Sequence, residues 1–179
     1  MGNIIYGHIT VPFRTVIAAV TLIIHSMETK SNEIEFVKNQ VTSTFYLVSM
    51  NTEGITHEES MVFPNNEANS MNWILGHLIY IRNAFLNILG EESVWEAEKF
   101  SCYNRGAVAL ERKDEFIHFE ELKTYMKKSQ DRLEAKLNTL DGFAAEKTKD
   151  ISTLCLHEIY HSGQLGYLRR ILGKPGAIK

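Results

Sequence analysis

The sequence predicts an all-α protein built as a four-helix bundle. Four segments after residue 30 place apolar residues at three- and four-residue steps, the period of a helix with one buried face. No convincing strand is visible there. Two of the segments stop at a glycine, Gly90 and Gly173, the residue that closes a helix most easily. Four amphipathic helices bury their stripes most simply against one another, and 179 residues suffice for one such domain with a real core.

Residues 1–30 stand apart. "VIAAVTLII" (16–24) follows Arg14 and resembles a short signal-peptide core, but it is too short to span a bilayer and no Ala-x-Ala pattern follows. Gly2 meets one requirement for myristoylation, yet Tyr6 stands where Ser or Thr belongs. The segment is read as an N-terminal extension of uncertain structure, either an extra helix or strand on the core or a lead-in before Met27. Residues 31–179 form the bundle domain.

The first bundle helix is expected over about 32–50, capped at Ser31-Asn32, with Ile34, Val37, Val41, Phe45 and Val48 inside. A polar loop with Pro64 follows. The second helix runs from a cap at Asn69 or Ser70 to Leu89; its stripe of Trp73, Ile74, Ile81, Phe85 and Ile88 has His77 in the middle. Residues 91–115 read as a long irregular connection. A third helix, about 117–139, carries Leu122, Tyr125, Met126, Leu133, Leu137 and Leu140 inward and ends before Asp141-Gly142. The fourth, about 151–172, cannot continue past Pro175. On a helical wheel Leu154, His157, His161, Leu165, Leu168 and Leu172 share one sector, so both histidines face the core.

Composition narrows the function. Lys and Arg number 19 against 22 Asp and Glu, a net charge of −3 with no basic cluster, which argues against nucleic acid and against charge-driven membrane binding. Cys102 and Cys155 form no Cys-x-x-Cys pair, and free thiols in a reducing cytoplasm are the simpler reading.

The chemistry sits in His157-Glu158-Ile159-Tyr160-His161, the His-Glu-x-x-His spacing of zinc proteases. Imidazoles four apart on a helix can clamp one ion. A protease of that type takes a further ligand from downstream, but "SGQLGYLRRILGKPGAIK" after His161 contains no His, Asp, Glu or Cys. Gln164 and Leu168 stand where the metzincin Gly and third His belong. The chain is therefore not a zincin, and a third ligand must come from upstream. His8 and His25 lie in the extension, His57 in the loop "ITHEES", and His118 among charged residues; only His77 combines a helix with an inward face.

"NSMNWILGHLIYIRNAFLNILG" (69–90) and "LHEIYHSGQLGYLRRILGKPG" (156–176) resemble the DinB-like superfamily of metal-binding four-helix bundles. The resemblance covers about residues 32–176. It implies His77, His157 and His161 as ligands of one divalent ion, with Gly163 and Gln164 as motif neighbours, and a homodimer. It also implies thiol-dependent transfer chemistry or, as in many unassigned members, metal-dependent hydrolysis.

Three neutral histidines with an open position suit catalysis. Such an ion, zinc, nickel or iron, could hold a low-molecular-weight thiol as thiolate or acidify a water. Thiol S-transfer to a small-molecule substrate is the preferred expectation; hydrolysis and a non-catalytic metal-binding, stress-related bundle are the alternatives. Glu158 is the candidate general base for hydrolysis, although on the wheel it sits at the edge of the inward sector. Gln164 is a candidate for orienting His161 or contacting substrate, and Tyr160 reads as packing. Arg82, Arg105 or Asn72 could line the mouth.

Overall fold

The computed structural model describes the backbone of residues 13–177 and, within it, the side chains of residue 22 and of 32–177 except 145. Among the described residues five α-helices follow one another: α1 (Phe13–Thr52), α2 (His57–Ser60), α3 (Met71–Ile88), α4 (Phe119–Leu137) and α5 (Ala145–Ile171). Two short 3-10 turns, Ser101–Tyr103 and Lys113–Glu115, lie between α3 and α4. Among the described residues there is no strand, and no helix is long and apolar enough to cross a membrane.

The four long helices are those the apolar stripes mark out, with different ends. α1 runs unbroken through Ser31 and Asn32, the expected cap, because no glycine or proline interrupts 13–31. Gly2, Tyr6 and His8 lie outside the described residues, as does the side chain of His25. The loop holding His57 closes into the single turn of α2 through a reciprocal cap. Thr56 Oγ1 accepts the Glu59 N–H at 3.2 Å and the Glu59 carboxylate accepts the Thr56 N–H at 2.9 Å. Ser70 caps α3 as expected, its hydroxyl accepting the Trp73 N–H. α4 is shorter than expected, and its last helical residue lies well before Asp141-Gly142. α5 begins six residues early, since "AEKTKD" has no apolar periodicity to announce it yet nothing to forbid it. Gly90 and Gly173 take φ values of +81° and +73°, the left-handed conformation that ends α3 and α5.

The order of side-chain contacts gives the topology. Thr44 meets Glu158 and Asn51 meets Ser162, so α1 and α5 run parallel. Asn72 reaches Ile117 and Arg82 reaches Gln130, so α3 and α4 also run parallel. Arg82 pairs with Glu158 while Lys147 reaches the carbonyl of Ile88, making α3 and α5 antiparallel. α1 and α4 are antiparallel too, with Thr42 opposite Glu134 and His57, just beyond α1, opposite Phe119. The helices thus run up, down, down, up. Joining the parallel neighbours α3 and α4 requires a connection that travels back along the bundle, which residues 89–118 supply.

α3 is the central element, with 14 of its 18 residues buried. The crossover covers its outer side, burying Val94, Trp95, Phe100, Cys102, Tyr103 and Ala109 in the common core. At its middle lies Arg82, wholly buried (0% exposed) and not at any mouth. Its guanidinium donates to Gln130 Oε1 on α4 (2.6 Å), to the Val41 carbonyl on α1 (3.1 Å) and to Glu158 Oε2 on α5 (3.1 Å). Its Nε lies 2.9 Å from Glu158 Oε1. One side chain therefore ties its own helix to the other three. One hydrogen bond, from Nη2 to Oε2, and one close charge contact, from Nε to Oε1, join the pair; charge-assisted contacts of this kind are stronger than neutral ones, and removing one partner leaves an uncompensated buried charge.

Arg82→Met alone should lower unfolding free energy by about 3–5 kcal/mol. Adding Glu158→Leu should recover much of that loss. Urea unfolding of both single variants and the double variant measures the coupling; single and double variants losing stability additively would show that the pair does not act as a unit.

Candidate metal centre

α3 and α5 bring the three histidines together. His77 sits at the buried middle of α3, while His157 and His161 lie one turn apart on the facing side of α5. Their Nε2 atoms converge: His77 to His157 is 3.0 Å and His161 to His157 is 2.9 Å. All three ligand atoms lie within 4.8 Å of one another. His77 and His161 are buried and His157 is half-buried, so access to the cluster is from the His157 side.

The outer nitrogens decide the tautomers. His77 Nδ1–H donates to the Tyr103 carbonyl at 2.7 Å, and His161 Nδ1–H donates to Gln164 Oε1 at 2.7 Å. With those protons placed, Nε2 of both rings carries a lone pair pointing into the cluster. His157 can offer at most one N–H to the two of them. The cluster is short of donors, and one cation satisfies all three nitrogens at once. Nitrogens bonded to one ion at about 2.0–2.1 Å stand roughly 3.3 Å apart in a tetrahedral set, so slight side-chain adjustment closes the ring. His77, His157 and His161 are positioned to coordinate a single divalent metal ion.

The electrostatics agree. Burial lowers the pKa of all three imidazoles, that of His161 to about 4, and repulsion from the neighbouring rings adds to it at His77 and His161. Near neutral pH each ring is uncharged, the form a ligand must have.

The crossover sets the His77 end. Trp73, one turn earlier, stacks on the His77 ring at 4.7 Å between centroids and donates its indole N–H to the Cys102 carbonyl at 2.8 Å. Tyr103 presses on α3 at Gly76, where an added Cβ would come within 2.2 Å of the phenol ring, so only glycine allows this approach. The Tyr103 hydroxyl donates to Asn72 Oδ1 (3.0 Å) and accepts the Ile117 N–H (2.9 Å). Asn72 is consequently buried under the crossover and does not line the mouth. Tyr103, which orients His77, went unnoticed in the sequence because a backbone carbonyl has no residue signature. Gly76, a glycine inside a helix one residue before the ligand, was the available signal.

The remaining candidates fall in two places. Gln164 adjoins the cluster, holding the His161 proton with its oxygen and reaching the Tyr160 hydroxyl with its nitrogen at 3.1 Å. Tyr160 is exposed rather than packed inside. Glu158 is 2% exposed and turned into the bundle, where Arg82 and the Thr44 hydroxyl (2.7 Å) hold its carboxylate. His57 and His118 stack on each other at the start of α4, where each accepts a backbone N–H. Compared with known families and curated proteins, the chain matches no family model and no curated sequence.

Replacing His77, His157 or His161 by Ala should each reduce zinc affinity by orders of magnitude. His57→Ala and His118→Ala should leave it nearly unchanged. Metal titration of the folded variants, with a competing chelator, makes the comparison. Full occupancy in His77→Ala would exclude the three-histidine site.

Proposed function

We propose that the chain is a metal-dependent enzyme of the DinB-like superfamily that transfers a low-molecular-weight thiol to a small-molecule electrophile. The three-histidine cluster on facing helices supports the family reading, together with the two segments that carry the ligands. A divalent ion held there, whether zinc, nickel or iron, supplies a Lewis-acidic open position that stabilises a thiolate at neutral pH. The protein's own part is to keep the imidazoles neutral, to fix His77 through Tyr103 and His161 through Gln164, and to shield the cluster with Trp73.

The observation that favours transfer over hydrolysis is the setting of Glu158. A hydrolase of the His-Glu-x-x-His type needs that carboxylate as a general base beside the attacking water. Here Arg82 and Thr44 occupy it. We assign Glu158 a structural role and Gln164 the orientation of His161. A thiol that loses its proton on binding needs no such base.

A homodimer and a cytoplasmic location belong to the same proposal. Cys102 and Cys155 are free, as expected in a reducing compartment. Along α5 every exposed residue from Ser152 to Tyr167 is uncharged, and Leu156, Ile159, Tyr160 and Tyr167 are large apolar ones. A face of that composition is suited to a partner surface. Sedimentation equilibrium should return twice the 20.5 kDa chain mass; a monomer at micromolar concentration would remove the dimer from the proposal.

Metal-loaded protein should consume thiol in the presence of a generic electrophile such as a chlorodinitroarene, across at least one of several cellular thiols, and lose this activity on chelation. Rapid ester or amide hydrolysis without thiol consumption would favour the hydrolase. Neither reaction, with metal bound, would favour a non-catalytic bundle. Chelator-sensitive cleavage of casein that is lost in Glu158→Gln would restore the protease.

A further inference from the structure

A cavity of about 460 Å³ lies between α1, α5 and the segment that follows α5, and none of the three histidines lines it. Small residues make the room. Gly163 and Gly166 stand on its α5 wall, and a Cβ added at Gly163 would meet only open space. Another wall is the chain after Gly173, whose φ of +73° turns it away from the helix. Arg169 pins that chain in place. Its Nε donates to the Pro175 carbonyl at 2.9 Å, while its Nη1 donates to the carbonyls of Glu53 (2.6 Å) and Asn51 (3.2 Å) at the end of α1. Lys174 pairs with Glu59 at 2.9 Å and adds a second tie, to α2. The walls are bonded to one another.

The polar groups inside divide by chemistry. Asn51 and Ser162 line the cavity although each is only 4% exposed. The Ser162 hydroxyl donates to the Ile159 carbonyl at 2.8 Å, and Asn51 Nδ2 donates to the Ser162 carbonyl at 3.4 Å. Those bonds leave Ser162 Oγ and Asn51 Oδ1 as acceptors that take no donor among the described residues. Asn51 Oδ1 lies over Gly166, 3.4 Å from where a Cβ would stand, so no side chain there covers it. Arg170 supplies a charge. Its guanidinium rests against Gly176, where an added Cβ would come within 2.9 Å of Nη2. It makes no ion pair among the described residues, and no acid lines the cavity. Leu47 and Ile159 give the space an apolar side.

We propose that this cavity is a second ligand site, which takes an apolar α-amino acid group. Its carboxylate meets Arg170, its N–H donors meet Asn51 Oδ1 and Ser162 Oγ, and its side chain lies against Leu47 and Ile159. A guanidinium is the strongest partner the side chains offer a carboxylate, and buried acceptors gain most from a ligand that brings donors. A phosphate fits less well: one guanidinium leaves part of its charge unanswered, and the two acceptors repel it. The same chemistry belongs to a free amino acid and to the C-terminal residue of a peptide. The inference stands apart from the metal-dependent reading, because no metal ligand takes part in it.

The test titrates the full-length protein by calorimetry with leucine, with leucinamide, which lacks the carboxylate, and with N-acetylleucine, which keeps the carboxylate and one N–H. Leucine should bind, and leucinamide should bind about tenfold more weakly or worse, the scale of one charge-assisted hydrogen bond. Arg170→Gln should remove that preference. Gly163→Leu, which builds into open space, should block leucine while the variant keeps its helicity and thermal midpoint. N-acetylleucine binding as tightly as leucine would sustain the inference with a peptide C-terminus as the ligand; much weaker binding would sustain it with the free amino acid. Equal binding of leucine and leucinamide, or no binding of leucine and N-acetylleucine at millimolar concentration, would overturn it. A parent protein that ignores leucine, with Arg170→Gln shifting sedimentation equilibrium toward the monomer, would overturn it too and give the cavity to a second copy of the chain.

Discussion

A guanidinium sealed among four helices must find partners, because an unpaired charge there costs several kcal/mol. Arg82 finds them on all three other helices: the Val41 carbonyl, Gln130 and Glu158. This contact fixes more than stability. His77 precedes Arg82 by five residues on α3, while His157 and His161 flank Glu158 on α5. Any rotation of α5 that would draw His157 away from His77 also pulls Glu158 from Arg82. Metal ligands and ion pair thus share two helices and one rotational setting. The Thr44 hydroxyl on the second oxygen of Glu158 extends the same setting to α1.

The up-down-down-up order has its own effect on the site. Parallel neighbours cannot be joined by a tight turn, so the chain needs the long return between α3 and α4. That return does not merely connect. It lays Trp95, Phe100 and Tyr103 over α3, converting a helix with one apolar stripe into one buried on nearly every side. It also delivers the Tyr103 carbonyl to His77. The close approach depends on Gly76, whose missing side chain leaves room for the phenol ring. The ligand on α3 is therefore oriented by topology as much as by its own helix.

The parts of this protein that follow a helical period were readable in advance. Ile34, Val37, Val41 and Val48 on α1, and Leu122, Met126, Leu133 and Leu137 on α4, are buried as their spacing requires. The three histidines were readable for the same reason: two lie on one inward stripe and the third lies in the middle of another. What escaped was long-range pairing. The sequence places Arg82 among the candidates for the mouth of the site, although Leu78, Ile79, Phe85 and Leu86, its neighbours at three and four residues, are all fully or almost fully buried. A charge surrounded in that way is a buried charge needing a partner. Glu158 lay at the edge of its wheel, where period alone cannot separate a catalytic base from half of an ion pair. Asn72 was misplaced because its two partners come from the crossover, which has no periodicity to read. The starts of α1 and α5 were lost because a helix can continue through polar or uniformly apolar sequence without any stripe.

His77 and His161 hand their outer protons to acceptors of different kinds. The carbonyl of Tyr103 belongs to the main chain and keeps its basicity whatever side chain is installed there. The Gln164 amide, by contrast, is a side chain that a single codon can exchange. The electron-donating strength of a ligating imidazole follows the acceptor on its far nitrogen. One ligand is therefore constant for as long as the fold exists, and the other is adjustable. A metal centre wired in this way can be retuned by varying position 164 without touching either the three histidines or the core.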